Sequence, residues 1–403
     1  EMCIRDSTYI VGQFGGKLAL GGIQATMVLT ELCIGFCVGV GAGCAVITGQ
    51  YFGQHDDERL SRSVHTAMTL ALVGGIAFSI LGIVFVEPML VLMNTPHELL
   101  AEGVAYARCY FAAMVAALLL NMGTALLRAV GDTRRPLVCL AVAGVINVVL
   151  NLLFVIVFQM SVAGVALATI LSQTVSAIMV TVLLVKEEGA MHLDLRHLGF
   201  HKKALLQIIQ IGLPAGLQST VFSLSNVVIQ SAINSFGSTV VAGNSAASNL
   251  EGFIYTGMNA FAQAAVTFTS QNVGARRYDN LDRVMRNCLL CVTVAGLFLG
   301  CGAYFGGEVL LHFYSTDEAV VAAGLSRMQI ICTAYFLCGI MDTLASCLRG
   351  RGYSVIPMIV SLVGSCLLRL VWIATIFRMF RSTGTLYISL SLIHISEPTR
   401  QEA

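Results

Sequence analysis

Charge is scarce in this sequence. Only 11% of its 403 residues are Asp, Glu, Lys or Arg, where a soluble domain carries about 25%. A soluble chain of this length needs a charged outer skin, and the residues to make one are missing. That excludes an ordinary cytosolic enzyme, a nucleic-acid binder and a disordered scaffold. No disulfide or zinc framework is visible either: the thirteen cysteines stand singly in apolar stretches and read as small hydrophobes between helices. Cys288 and Cys291 form C-x-x-C, but inside an apolar helix and without a βαβ context. No segment alternates apolar and polar residues over ten positions, which excludes a transmembrane barrel. An intramembrane enzyme would need a nucleophile–base pair or a motif such as H-E-x-x-H, and none occurs. Gly39, Gly41 and Gly43 lie within an apolar span, where they read as close helix packing rather than a nucleotide loop.

What is present is hydrophobic sequence, 57% of residues with a mean hydropathy of +0.82. At about 20 residues per span there is room for ten to twelve membrane helices. Apolar runs predict spans near 19–50, 62–86, 99–127, 136–158 and 162–185, then 204–234, 239–272, 284–306, 318–348 and 355–377. One set of connections holds Arg59, Arg62, Arg128, Arg134, Arg135, Lys186, Arg196, Lys202, Lys203, Arg276, Arg277, Arg283, Arg286, Arg349 and Arg351. The alternate connections, near 87–98, 159–161, 235–238 and 307–317, hold no Lys or Arg. By the positive-inside rule the first set is cytoplasmic.

Shifting the chain against itself by 221 positions aligns its punctuation without a gap. Gly16 meets Gly237, Gly22 meets Gly243, and Gln50 with Gly53 meets Gln271 with Gly274. Arg128, Gly131 and Pro136 meet Arg349, Gly352 and Pro357, each Pro opening a helix where its missing N–H costs nothing. Gly131 and Gly352 follow helix ends and read as C-terminal punctuation. A repeat of six spans is even, so both halves keep one orientation, as in transporters built from two parallel six-helix lobes. The expected fold is therefore an all-α polytopic membrane protein, with an N-terminal lobe at 8–200, a C-terminal lobe at 201–389 and about ten complete spans. The repeat leaves most of a first helix and of a twelfth without sequence. Residues 1–7 and 390–403 resemble translated sequencing-adapter DNA and are expected to be foreign.

The segments Gly39-Val-Gly-Ala-Gly43, Gln50-Tyr-Phe-Gly53, Leu127-Arg-Ala-Val-Gly-Asp-Thr-Arg-Arg-Pro136, Asn147-Val-Val-Leu-Asn151, Gly212-Leu-Pro-Ala-Gly216 and Leu348-Arg-Gly-Arg-Gly352 occur in order. Together they resemble the multidrug and toxic compound extrusion (MATE) family over residues 8–389, and most of all its bacterial DNA-damage-inducible protein F type. The resemblance implies antiport, in which an organic cation or other drug leaves as H⁺ or Na⁺ enters. It also implies a cation site in the first lobe at Asn121, Asn147 and Asn151, completed in the family by an Asp on the first helix. The second helix-5 position is often Asp in the family; here it is Asn151. Amide oxygens suit Na⁺ but carry no exchangeable proton, so the coupling ion stays open. Phe222 and Ser223 occupy the region of the helix-7 acid found in the Na⁺-coupled branch.

Ionisable residues within spans are costly and mark function. The deep ones are Glu31, Glu251, Asp342 and Arg369, whereas Arg108 and Arg327 lie toward helix ends where they are expected to snorkel. Glu251, Tyr255, Asn259 and Gln263 step by four along one helix, and Gln218, Asn226, Gln230 and Asn234 form a similar line on the preceding one. They suggest a hydrated cavity wall, or alternatively interhelical hydrogen bonding. The substrate or proton site is thus expected from Glu251, Asp342, Arg369, Gln218, Asn226, Tyr255 and Asn259, with Arg369 paired to Asp342 and Glu251 left for a cationic drug. Pro214 is expected to kink its helix.

These features predict a secondary-active multidrug efflux antiporter of the bacterial inner membrane, working by alternating access without a cofactor. Its expected partners are drug-like small molecules and membrane lipids, with no nucleic acid and a monomeric state. The rival is a lipid-linked oligosaccharide flippase of the same superfamily. Such a protein would be expected to carry several deep basic residues, and only Arg369 qualifies.

Overall fold

A computed structural model describes residues 16–92, 97–158, 160–314 and 317–379, together with Thr383 and Tyr387. Segments 1–7 and 390–403 lie outside the described residues, as do most of the sequence remnants expected from the first and twelfth helices.

Among the described residues the chain is helical, with no strand. The first half contains α1 (Gly16–Gln54), α2 (Asp57–Leu92), α3 (His97–Ala112), α4 (Met114–Ala129), α5 (Arg134–Leu152) and α6 (Ser161–Lys186). A connector leads to α7 (Lys202–Asn234), α8 (Ser238–Gly274), α9 (Leu281–His312), α10 (Glu318–Gly350), α11 (Val355–Ser361), α12 (Leu368–Ala374) and α13 (Ile376–Met379). Two π-helical turns interrupt this series. Leu153–Val157 extends α5, and Leu362–Leu367 joins α11 to α12.

The 221-residue repeat reappears in the backbone. Among the described residues the non-glycine positions with positive φ are His55 and Arg276, at 55° and 56°, and Gly131 and Gly352 stand at 95° and 97°. Both pairs are separated by the offset of the sequence repeat. Each pair closes a helix with the same two bonds. Gly131 N–H donates to Arg128 O at 3.0 Å and Asp132 N–H to Leu127 O at 3.0 Å. Gly352 and Tyr353 repeat this on Arg349 and Leu348 at 2.8 and 3.0 Å. This is the Schellman arrangement, which needs a left-handed residue that glycine supplies without Cβ strain. The helices α3 and α4 together match α10. The first copy is bent by 47° at Ala113, where the amide is shared between the Cys109 and Tyr110 carbonyls.

Among the described residues eight helices are long and apolar enough to cross a membrane, or nine if the bent α3–α4 pair counts as one span. The sequence predicts about ten; the missing one is α8, which is 37 residues long. Asn244, Asn249, Glu251, Asn259 and Gln263 lower its hydropathy. Glu251, Asn259 and Gln263 among them belong to the polar line that made it a candidate site. Large apolar side chains face outward, as with Phe298 and Phe305 at 78% and 82% exposed, while Arg369 is 1% exposed. That inversion of the soluble pattern is what a lipid solvent requires. The protein is a multi-pass membrane protein.

The chain divides into two compact units, one up to Leu213 and one from Pro214. The division falls inside α7, at the proline expected to kink it, rather than at the connector before it. In the first unit α2 packs against α3 and α4, α1 against α3 and α4, and α5 against α6. Gly43 permits a close approach of α1 to α7: a Cβ there would lie 2.5 Å from the Ile208 carbonyl oxygen. Gly41 has no such neighbour and meets only ordinary contacts at 3.9 Å. The connector is tied to α2, with Asp194 N–H donating to His65 Nε2 at 3.1 Å. In the second unit α8, α9 and α10 enclose a core of Ala247, Ile254, Met258, Val292, Met328 and Cys332.

Candidate functional site

Each unit buries its own polar group. In the first, Asn147 and Asn151 occupy successive turns of α5 and are fully buried. Asn151 Nδ2 donates to Asn147 Oδ1 at 3.0 Å, and Asn147 Nδ2 donates to Ser172 Oγ on α6 at 3.1 Å. Ser172 in turn donates to the Thr169 carbonyl at 3.0 Å. The π turn at Leu153–Val157 starts just beyond Asn151, and such turns recur at functional positions because they re-aim neighbouring side chains. Asn121 is not part of this cluster: its amide donates to the Ala117 carbonyl of its own helix at 2.9 Å. Ser172 is the residue that sequence reasoning missed, since a serine in an apolar helix carries no signal until its partner is known. Glu31 falls within α1, and its side chain lies outside the described set.

The second unit holds three polar groups. The first is an ion pair between α8 and α10. Arg327 Nε and Nη2 donate to the two carboxylate oxygens of Glu251 at 2.8 and 2.6 Å, with side-chain exposures of 9% and 6%. Arg327 Nη1 also donates to Asn244 Oδ1. Asn244 and Glu251 are seven residues apart, on one face of α8. Arg327 therefore turns inward instead of snorkelling, and both oxygens of Glu251 are taken. Arg108 is the residue that sits at a helix end, paired with Glu87 at 2.8 Å and half-exposed.

The second group surrounds Asp342 on α10. The Tyr255 hydroxyl and Arg349 both act electrostatically on its carboxylate. Asp342 is half-buried and Tyr255 is 37% exposed, so this carboxylate borders accessible space. Arg349 Nη2 donates to Gln218 Oε1 at 2.8 Å, and Gln218 Nε2 donates to Ser361 Oγ at 2.7 Å. Asn259 and Gln263 continue the α8 line beyond Tyr255, half-buried and exposed respectively.

The third group is built on Arg369 of α12, one residue past the π turn. Its Nη1 donates to Asn226 Oδ1 at 2.9 Å and to Ser225 Oγ at 3.4 Å. Its Cζ stands 5.9 Å from the Phe222 ring centroid. Among the described residues no carboxylate pairs with it. The expected Arg369–Asp342 pair is not formed: the arginine acting on Asp342 is Arg349, and Arg369 is met by amide, hydroxyl and ring.

No group of three or more His, Cys, Asp or Glu capable of holding a metal is found among the described residues. Two repeated sets of membrane helices, each enclosing a polar cluster at depth, define a transport protein. A family model described as MatE matches residues 7–153 and 214–375, one block in each half. The chain belongs to the MatE family, and its members are transporters rather than enzymes. It is 27% identical over 368 residues to "Probable multidrug resistance protein YoeA" of Bacillus subtilis, covering 87% of this chain and 80% of that protein. It is 25% identical over 372 residues to a "FAD transporter" of Shewanella oneidensis, covering 90% and 81%. Among solved structures, it superposes on an outward-facing multidrug resistance MATE transporter with a TM-score of 0.89, at 19% identity and covering 97% and 87% of the two chains. A MOP superfamily transporter from Pyrococcus furiosus, described as having a binding pocket of reversed polarity, gives 0.89 at 20% identity, covering 98% and 91%.

Proposed function

We propose that this protein exports amphiphilic drug-like molecules across a bacterial inner membrane in exchange for H⁺ or Na⁺, by alternating access. Relatives named for multidrug resistance and for FAD transport support a small-molecule substrate. The observation that carries ion coupling is Asp342. Among the described residues it is the deep second-lobe carboxylate outside any ion pair, half-buried and beside Tyr255 and Arg349. Glu251, whose oxygens both face Arg327, has a structural part in this scheme. An aspartate that borders accessible space and senses a nearby cation can load and release a proton, whereas the Asn147–Asn151–Ser172 cluster offers only neutral oxygen ligands of the kind Na⁺ accepts. The two clusters thus correspond to the two coupling ions. The protein is expected to act as a monomer within the lipid.

Reconstitution of the full-length protein into proteoliposomes tests this. A pH or a Na⁺ gradient should drive uptake of a fluorescent dye. Asp342→Asn should abolish the pH-driven component, and Asn151→Leu the Na⁺-driven one. Dye movement indifferent to both gradients would overturn the antiport reading. Unchanged drug accumulation in an efflux-deficient strain would favour the flippase instead.

A further inference from the structure

Among the described residues the buried charges of the second lobe do not balance. Glu251 is matched by Arg327 and Asp342 senses Arg349, which leaves Arg369. Arg369 is 1% exposed, and among the described residues its Nε and Nη2 have no hydrogen-bond partner. The charged side chain that acts on it is Arg327, of like sign. A cation buried at membrane depth with two idle donors is unfavourable unless something supplies the missing negative charge. Its surroundings show where that charge would enter. Asn226, bonded to Nη1, is exposed, and Phe222 is half-exposed. Trp372, three residues on from Arg369 along α12, is half-buried on the same side.

We infer that Arg369 is an anion-binding subsite for transported molecules. Its Nε and Nη2 take a carboxylate or phosphate oxygen pair while Phe222 and Trp372 flank the apolar body that carries it. Two donors of one planar guanidinium match the two oxygens of such a group. The substrate class is an amphiphilic organic anion. This rests on the export reading above and narrows it: the proton would be exchanged at Asp342, and the anion would be held at Arg369. An acidic headgroup of a membrane lipid carries the same chemistry, so source is part of the test.

The decisive variant is Asn226→Asp. It places a carboxylate beside Nη1, where the amide oxygen is 2.9 Å away, and gives Arg369 a permanent internal anion. Thermal unfolding of the full-length protein is followed in a neutral detergent with a thiol-reactive dye that reports exposure of the buried cysteines. The probes are fluorescein, inorganic phosphate, phosphatidylglycerol and, as the cationic counterpart of the same ring system, rhodamine 6G at matched ionic strength. Fluorescein should raise the wild-type melting temperature by several degrees and saturate, whereas rhodamine 6G should not. Asn226→Asp should melt higher than wild type without any probe and lose the fluorescein response. Arg369→Met should lose the response without melting lower, and Arg369→Lys should keep part of it. A response to phosphatidylglycerol alone assigns the subsite to lipid headgroups. The inference is overturned if no anion gives an Arg369-dependent shift. It is equally overturned if Asn226→Asp neither raises the melting temperature nor blunts the response. Anion binding without transport would leave the subsite standing and remove the export reading; transport of rhodamine 6G without any anion response would do the reverse.

Discussion

Removing one partner of the Glu251–Arg327 pair should be among the most damaging single substitutions in the second lobe. Arg327→Met strands a carboxylate that is 6% exposed and releases Asn244. Breaking a buried pair in this way costs about 3–5 kcal/mol, or roughly a hundredfold to a few thousandfold in the folding equilibrium. Glu251→Gln spares more, because the amide oxygen still accepts one bond from Arg327, yet it leaves a second cation near Arg369. The double variant Glu251→Gln with Arg327→Met removes both charges at once. Replacing a whole buried pair by neutral groups is often harmless, so it should recover most of the loss. The coupling between the two sites should then be at least about 2 kcal/mol, well above the 0.5 kcal/mol scatter expected of independent sites. The assay is denaturation of the three variants in detergent, read by labelling of buried thiols such as Cys332 and Cys347. A double variant no more stable than the worse single one would refute the pairing as the source of the cost.

Three further expectations follow from other parts of the structure. Asn147→Leu and Asn151→Leu should each leave the protein folded, since an interhelical hydrogen bond in a membrane is worth only about 0.6 kcal/mol, and should remove Na⁺ dependence from transport; intact Na⁺ dependence in both would make the amides mere helix contacts. Gly43→Val should cost about 1–3 kcal/mol by overpacking, because its Cβ meets the Ile208 carbonyl oxygen at 2.5 Å, whereas Gly144→Val, with open space around it, should be neutral; equal melting temperatures for the two would argue against close α1–α7 contact. In the connector, the Arg196 amide and His197 hold the Asp194 carboxyl below its ordinary range; a depressed folded value means that its contribution is complete above the unfolded value near 3.9 and fades as pH falls through the folded one, so protection of the Arg196 amide in hydrogen exchange should persist at pH 5 and fade only at lower pH.

The helices were legible because the signals that place them are local or periodic. Apolar runs and the basic connections mark α2, α5, α9 and α10, and the 221-residue offset in glycine and proline foretold the shared helix ends at Gly131 and Gly352. The repeat in φ at His55 and Arg276 had no glycine to announce it. The site was legible only as a set of residue types. Glu251, Asp342 and Arg369 stand out because ionisable groups are rare at depth, but partner choice is a tertiary fact. Arg327 lies toward a helix end, and its neighbours there would let it snorkel; it turns inward because Asn244 and Glu251 sit two turns apart on the facing helix. The i, i+7 spacing of Asn244 and Glu251 was the available clue. Arg349 lies at the cytoplasmic end of α10, yet a charge acting through a weakly polarisable interior reaches farther than hydrogen-bond geometry suggests.

The repeat also shows how one fold came to hold two kinds of site. At the offset of 221, Glu251, Arg327, Asp342 and Arg369 correspond to Thr30, Tyr106, Asn121 and Val148 of the first lobe. Thr30 and Tyr106 are buried, 2% and 3% exposed, like the pair they answer to. Those two positions are interior in both copies, and what differs is charge; Val148, by contrast, is 38% exposed where Arg369 is 1% exposed. The first lobe forms its amide cluster at Asn147 and Asn151 with Ser172, without a charged partner among the described residues. In the second lobe Glu251 requires Arg327, since neither ion is tolerable alone at that depth. Among the described residues Arg369 has no carboxylate partner to strand, which sets it apart from Arg327. Substituting Arg369 with the residue that its counterpart carries, Arg369→Val, should consequently leave the helix in place and the lobe at least as stable. Loss of the folded protein in that variant, with Arg327→Met tolerated, would invert this division between a structural and a functional arginine.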